Sequence, residues 1–311
     1  MALVHGDNIF LVGLYDHRYL RSGQLALYSG RTGPVARRRM NELIRLKLVV
    51  ALNREPMHEV VYALTKKGYE YVAASLGIEG HLAYSSSTSR SAETMYLQHT
   101  LLTNDCRLAF GQALISHPYV GLFESIPEWR IAESKARKPA QKYVLAEDFK
   151  CKMGDMKRTV RFRPDCMLVL YNKPQGVDYR AAFFIEADRS SQPYNRIREK
   201  YLSYMVYFAE RQFVKIWQSR IMRVMFVIAR GNTERRIHRM QEELLFAVKK
   251  FGSDFFAEKS QQEEFLKCFR FCSASELNAE TVIDSLIWRD WRNVPVAVYN
   301  PSKGKAESKS A

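Results

Sequence analysis

Three carboxylates, Asp165, Glu186 and Asp188, stand at the ends of two short apolar runs. R-P-D-C-M-L-V-L-Y (163–171) and A-A-F-F-I-E-A-D-R (181–189) read as two strands joined by the turn-rich N-K-P-Q-G-V-D-Y-R. An antiparallel pair would set Asp165 at the start of one strand beside Glu186 and Asp188 at the end of the other. Clustered carboxylates repel, a cost usually tolerated only for a cation or for proton chemistry. Glu186 follows F-F-I on a strand that reads as buried, and a buried carboxylate needs a partner or a cation. A helix-like run carrying Lys200 and Tyr204 comes next. Lys200 lies about twelve residues beyond Asp188, so a turn and roughly two helical turns could bring its ammonium back over the strand ends.

These acids sit in a basic chain. The 311 residues carry a formal charge of +15, and 47% are hydrophobic, ample for real cores in two domains. From Arg189 to Phe251 there are fourteen Lys and Arg against five Asp and Glu. Such a balance favours a polyanion: nucleic acid first, with a membrane surface as competitor and a merely basic soluble protein as the plain alternative. No apolar run approaches the roughly 18 residues of a membrane-crossing helix, and the N-terminus lacks a signal-peptide pattern, so a cytoplasmic protein is expected. Cys106, Cys151, Cys166, Cys268 and Cys272 form no C-x-x-C pair, which argues against a disulfide framework or a zinc ribbon.

Ahead of the acids, residues 1–78 read as helix, helix, helix, hairpin. The first helix is expected over 8–21, and Ser22 looks like the cap of a second. Pro34 suits the first turn of a third, which runs to about Leu46 with Met40, Leu43, Ile44 and Leu46 on its apolar face. Runs 48–52 and 59–64 form the hairpin, and Thr65 caps a fourth helix. That order is a winged helix-turn-helix. Its third helix carries Arg37, Arg38, Arg39 and Arg45, and its wing carries Arg54, cations able to hold phosphates or read guanine edges of double-stranded DNA. The competing reading is a solvated helix face and a wing packed on a partner protein.

A Ser/Thr-rich stretch makes 79–93 the expected linker. Residues 94–299 form the second domain: a helix from Glu93 with His99, Asn104 and Asp105, a strand near 122–132, a charged insertion near 133–158, then the two acid-bearing strands. A helix over 194–211, a strand at 222–229, a helix from Thr233 to Lys250, a strand near 266–272 and a short helix capped by Ser275 follow. Residues 300–311 read as a disordered polar tail.

In sequence, R-P-D at 163–165, twenty intervening residues and E-A-D at 186–188 resemble the core of the PD-(D/E)XK nucleases. The whole order is similar to the replication-relaxation family of plasmid and mobile-element proteins, through R-R-R-M-N-E-L-I-R-L-K-L-V, Y-A-L-T-K-K-G, R-P-D, F-F-I-E-A-D-R and K-Y-L-S-Y. The resemblance covers roughly residues 5–230. It implies an α+β or α/β chain, a winged helix-turn-helix followed by an αβββαβ nuclease-like domain with a mixed sheet. It also implies Mg²⁺ or Mn²⁺ on Asp165 and Glu186; Asp188, and Asp105 on the upstream helix, are candidate further ligands. Metal-assisted nicking or cleavage of DNA during replication, relaxation or mobilisation would follow. The partners would be DNA and other replication or mobilisation proteins, with a dimer plausible. One position departs from the pattern: Asp188 stands where an active motif has lysine, which makes Lys200 the candidate substitute. Two other classes stay open. One is a non-catalytic DNA-binding regulator or accessory factor on a degenerate nuclease fold; the other is a protein-interaction module.

Overall fold

The computed structural model describes residues 3–52, 59–77, 94–130, 144–153 and 156–299. Its contacts divide the chain into two units, Met1–Leu108 and Ala109–Ala311.

In the first unit, helix α1 (Asn8–His17) ends where Arg18 turns to positive φ. The helix expected to reach residue 21 stops here, because Leu20 and Arg21 form strand β1 and pair with Tyr62 and Val61. Sheet pairing has overridden a local helical period. Helix α2 (Ser22–Ser29) ends at Gly30, whose φ of 63° suits a residue without a side chain. Arg21 rather than Ser22 occupies its N-cap position. Helix α3 (Gly33–Arg45) has Pro34 in its first turn and buries Ala36, Met40 and Leu43. Strands β2 (Val49–Leu52) and β3 (Val61–Leu64) form the hairpin, in a three-stranded sheet ordered β1-β3-β2. Thr65 caps helix α4 (Lys66–Ser75), its hydroxyl accepting from the Gly68 amide at 3.1 Å. At Gly68 a Cβ would stand 2.0 Å from the Leu48 carbonyl oxygen, so only glycine lets α4 approach the hairpin this closely. Phe10, Leu14, Leu25, Met40, Leu43 and Tyr62 share one core. This is a winged-helix arrangement. The wing tip with Arg54 lies outside the described residues, as does the expected linker.

Helix α5 (Thr94–Ile115) crosses the division between the units. Its early residues Leu97 and Leu101 pack with Tyr19, Val61 and Ala63. The contact boundary therefore lies some fifteen residues later than the start expected for the second domain.

The second unit is built on a seven-stranded mixed sheet ordered β12-β11-β10-β9-β8-β7-β4. Strands β4 (Val120–Pro127), β7 (Cys166–Asn172) and β8 (Arg180–Asp188) are antiparallel neighbours. Strands β8, β9 (Ser219–Ile228) and β10 (Phe269–Ser273) are parallel, and parallel neighbours require crossover connections. Helices α6 (Tyr194–Ala209) and α7 (Gln212–Trp217) make the first crossover. Helices α8 (Thr233–Phe255) and α9 (Lys259–Leu266) make the second. Short strands β11 (Trp288–Arg289) and β12 (Pro295–Val296) extend the sheet antiparallel. Leaving the small α7 and a two-stranded ribbon within residues 147–162 aside, the order α5, β4, β7, β8, α6, β9 is helix, three strands, helix, strand.

Three expectations change here. The charged insertion is not a loop throughout: its described part pairs strand β5 (Glu147–Met153) with β6 (Met156–Phe162) as an antiparallel ribbon. Phe149, Val160 and Phe162 are buried while the lysines point out, a half-buried alternation masked by the high charge. Phe162 stacks on Tyr207 of α6 with ring centroids 4.0 Å apart. Asn232, not Thr233, caps α8 by accepting from the Arg235 amide at 3.0 Å. In place of the Ser275-capped helix, Ala274–Glu276 form one 3-10 turn capped by Ser273. The core between sheet and helices joins Phe184, Val224 and Phe226 to Tyr201, Met205, Met240 and Leu244.

Candidate functional site

Two arrangements in the structure could carry function, one in each unit. The first is the outer face of α3. Pro34, Arg37, Arg38, Asn41 and Arg45 are all exposed. Their spacing of three, four and seven residues puts them in one stripe opposite buried Ala36, Met40 and Leu43. Arg37 and Arg38 make no ion pair among the described residues, while Arg45 holds Glu42 at 2.9 Å on the surface. Arg39, expected beside them as a DNA contact, is turned the other way. Its guanidinium meets Asp7 through two bonds of 2.8 and 2.7 Å, and the Asp7 side chain is fully buried. Arg39 is thus a brace between α3 and the turn before α1. Asn41 was not among the expected contacts, although its position four residues after Arg37 and three after Arg38 marks it as their neighbour on the face. An asparagine there can pair with an adenine edge in the major groove.

The second arrangement lies at the ends of β7 and β8. Cys166 pairs with Ile185, so Asp165 and Glu186 come together as the two-strand reading requires. Asp165 accepts from the Ala187 amide at 2.8 Å, which fixes its carboxylate across the strand ends. Glu186 is 2% exposed. The Lys200 ammonium, reaching down from α6, bonds to Glu186 and stands 3.8 Å from Asp165. Tyr204, one helical turn on, donates its hydroxyl to the other Glu186 oxygen at 2.6 Å. Its ring belongs to the core, but its hydroxyl belongs to the site. The four-residue spacing from Lys200 was the available signal.

Asp188 shares the β8 face with Glu186 but has its own partner. Arg236, in the first turn of α8, grips it with bonds of 2.8 and 3.3 Å and also donates to the Gln192 carbonyl at 2.7 Å. No short-range pattern announces a partner 48 residues away. Asp105 is likewise engaged within the first unit, by Arg21 and by Gln24 at 2.8 Å.

Burial pushes the Glu186 carboxyl up to about 7 against the pull of Lys200, and the Asp165 charge adds to the rise. Burial also opposes the charge on Lys200, yet Asp165 and Glu186 outweigh it and hold the ammonium protonated. These groups do not make a divalent-ion site as they stand. The cation between the two carboxylates is the protein's own, both Glu186 oxygens have donors, and Asp188 belongs to Arg236. Among the described residues no three His, Cys, Asp or Glu side chains converge to hold a metal. No helix among them is long and apolar enough to cross a membrane.

A winged-helix unit in front of a mixed α+β unit with a charge-balanced acid site is the class of protein that the fold defines. The model of the replication-relaxation family matches residues 11–216, two thirds of the chain, and the protein belongs to that family. No curated protein matches the chain. Among solved structures, it is similar to Staphylococcus aureus MepR, a transcription regulator of the multidrug efflux pump MepA. That match has 26% identity and a TM-score of 0.23 over 24% of this chain and 57% of that one. MepR in a DNA complex matches at 25% identity and a TM-score of 0.23, over 24% and 64%. A Lactococcus lactis ZitR variant matches at 14% identity and a TM-score of 0.22, over 25% and 53%. This chain therefore spans less than two thirds of the length of each.

Because Glu186 binds its proton more tightly when folded, its share of stability is full below about pH 4.5 and is lost as the pH rises to about 7. Urea unfolding of the wild type and of Glu186→Gln should show that loss as a difference that falls across this window. A difference that is flat or rises there contradicts the raised carboxyl.

Proposed function

We propose that this protein binds double-stranded DNA through the outer face of α3, acting in the replication, relaxation or mobilisation of a plasmid, phage or integrated element. The observation that carries the reading is the exposed stripe of Arg37, Arg38, Asn41 and Arg45, with Arg37 and Arg38 unpaired among the described residues. A helix of this kind suits the major groove, where the arginines hold phosphates or guanine edges and Asn41 reads adenine. Arg54 would add a phosphate contact from the wing. The charge of +15 supports the same partner through sequence-independent attraction. On this reading the second unit is a non-catalytic scaffold, since Lys200 and Arg236 already neutralise its acids.

The reading is tested by duplex binding followed by fluorescence anisotropy over a range of salt. Arg37→Ala and Arg38→Ala should each weaken binding, and each should lower the slope of log affinity against log salt by about 1 if it holds a phosphate. Affinity and slope equal to those of the wild type in both variants would sink it.

One observation favours a second reading, metal-dependent cleavage or nicking of DNA by a nuclease-like αβββαβ unit of PD-(D/E)XK type. Lys200 does reach both Asp165 and Glu186 from the neighbouring helix, the position a substitute for the missing strand lysine would need. The reading requires Lys200 to leave Glu186, so that Asp165 and Glu186 could face Mg²⁺ or Mn²⁺. Supercoiled plasmid incubated with either ion should then be nicked by the wild type and not by Asp165→Ala or Glu186→Ala. Plasmid left intact by the wild type across varied DNA and salt rejects this reading and leaves the first in place.

A further inference from the structure

Strand β8 has a second chemically distinct end. Glu186 marks one end; Arg180 opens the other, roughly 20 Å away at about 3.3 Å per residue. Beside Arg180, a β-bulge interrupts the pairing of β4 with β7 between Leu122 and Glu124. Such a bulge re-aims the extra side chain, here Phe123, which is 45% exposed. The Arg180 guanidinium lies over the Phe123 ring at 3.8 Å, held by a 2.7 Å bond from its Nε to the Val177 carbonyl. Tyr179, 39% exposed, carries the Arg220 guanidinium over its ring at 4.3 Å. Two ring–guanidinium pairs, Phe123 with Arg180 and Tyr179 with Arg220, thus lie near the start of β8.

Arginine laid on an exposed ring is often packing alone, but here both guanidinium groups also lack, among the described residues, a carboxylate to balance them. Elsewhere Arg158, Arg161, Arg196 and Arg239 pair with carboxylates. Among the described residues Arg180 and Arg220 have no such partner. Of the nearby acids, Glu124 is held by Arg130 at 2.6 Å, and exposed Asp178 is the one carboxylate within the 171–180 segment. Large apolar rings are left open beside uncompensated cations. The missing partner is therefore an anion with flat apolar faces.

We propose that Phe123, Tyr179, Arg180 and Arg220 form a binding surface for single-stranded DNA. Unpaired bases stack on aromatic rings and guanidinium planes, while the arginines draw in the phosphates. A duplex keeps its bases inside its own stack and offers these rings nothing. The proposal rests on the reading above only in taking DNA as the ligand; it uses residues that α3 does not supply.

The experiment is anisotropy with the full chain on a labelled oligothymidine of about 20 nucleotides and on a duplex of the same length. Phe123→Ala combined with Tyr179→Ala should weaken single-strand binding by about tenfold or more, with duplex binding within about twofold of wild type. Phe123→Leu with Tyr179→Leu should lose as much while keeping the apolar volume, and Tyr179→Phe should keep full binding. Both positions are exposed, and a circular dichroism melt unchanged from wild type shows that the fold is intact. Single-strand affinity that survives loss of both rings overturns the proposal. So does a wild type with no single-strand affinity, which would instead leave the patch as a contact for a protein. Single-strand binding with no duplex binding would support this surface and reject the α3 reading; duplex binding alone would do the reverse.

Discussion

A half-buried lysine between two buried carboxylates sets the terms for the second unit. Taking an ion out of water costs several kcal/mol even after the protein relaxes, so Asp165, Glu186 and Lys200 are tolerable only together. Their meeting requires β7 and β8 to pair in one register and α6 to lie across the strand ends. Asp188 and Arg236 repeat the device one step along the strand and tie in α8. Arg198 extends it between the helices, bonding to Glu243 of α8 at 3.0 Å. Removing one member of the Asp188–Arg236 pair, both under a tenth exposed, should cost about 3–5 kcal/mol, because the other is left buried and charged. The hydrophobic core gives this unit most of its stability, while the charge pairs specify where the two crossover helices sit.

That constraint also shapes what the site can do. Three acids on one rim suggested a metal; in the structure an ammonium lies against two of them and a guanidinium against the third. The cations that complete the site are supplied by the helices over it. Positive charge without a carboxylate partner in the described residues is found, among other places, on the outer face of α3 in the first unit and at the opening end of β8 in the second. Both suit nucleic acid, in different forms: a helix face fits a groove, and open rings fit unstacked bases.

Much of this was legible from local pattern. The winged helix follows from helical spacing, a hairpin and Thr65, all signals that lie within a few residues of one another. The meeting of Asp165 with Glu186 follows from a strand pair with a turn-rich connection, and the reach of Lys200 follows from helical geometry. What stayed hidden was set by distant partners. Leu20 and Arg21 look helical until β3 claims them. The partners of Arg39 and Asp188 are distant as well: Asp7 lies buried beside the one, and α8 brings Arg236 to the other. The β5–β6 ribbon was hidden for another reason: its three buried side chains alternate with enough lysine and arginine to read as a solvated loop.

The most direct measurement of whether the protein's own cations close the acid site is calorimetric titration of Mn²⁺ into the wild type and Glu186→Ala. With Lys200 bridging Asp165 and Glu186, the two titrations should be indistinguishable, with no saturable heat at millimolar metal. Stoichiometric binding in the wild type that disappears in Glu186→Ala would show that the ammonium yields its place to a metal, and would contradict the account.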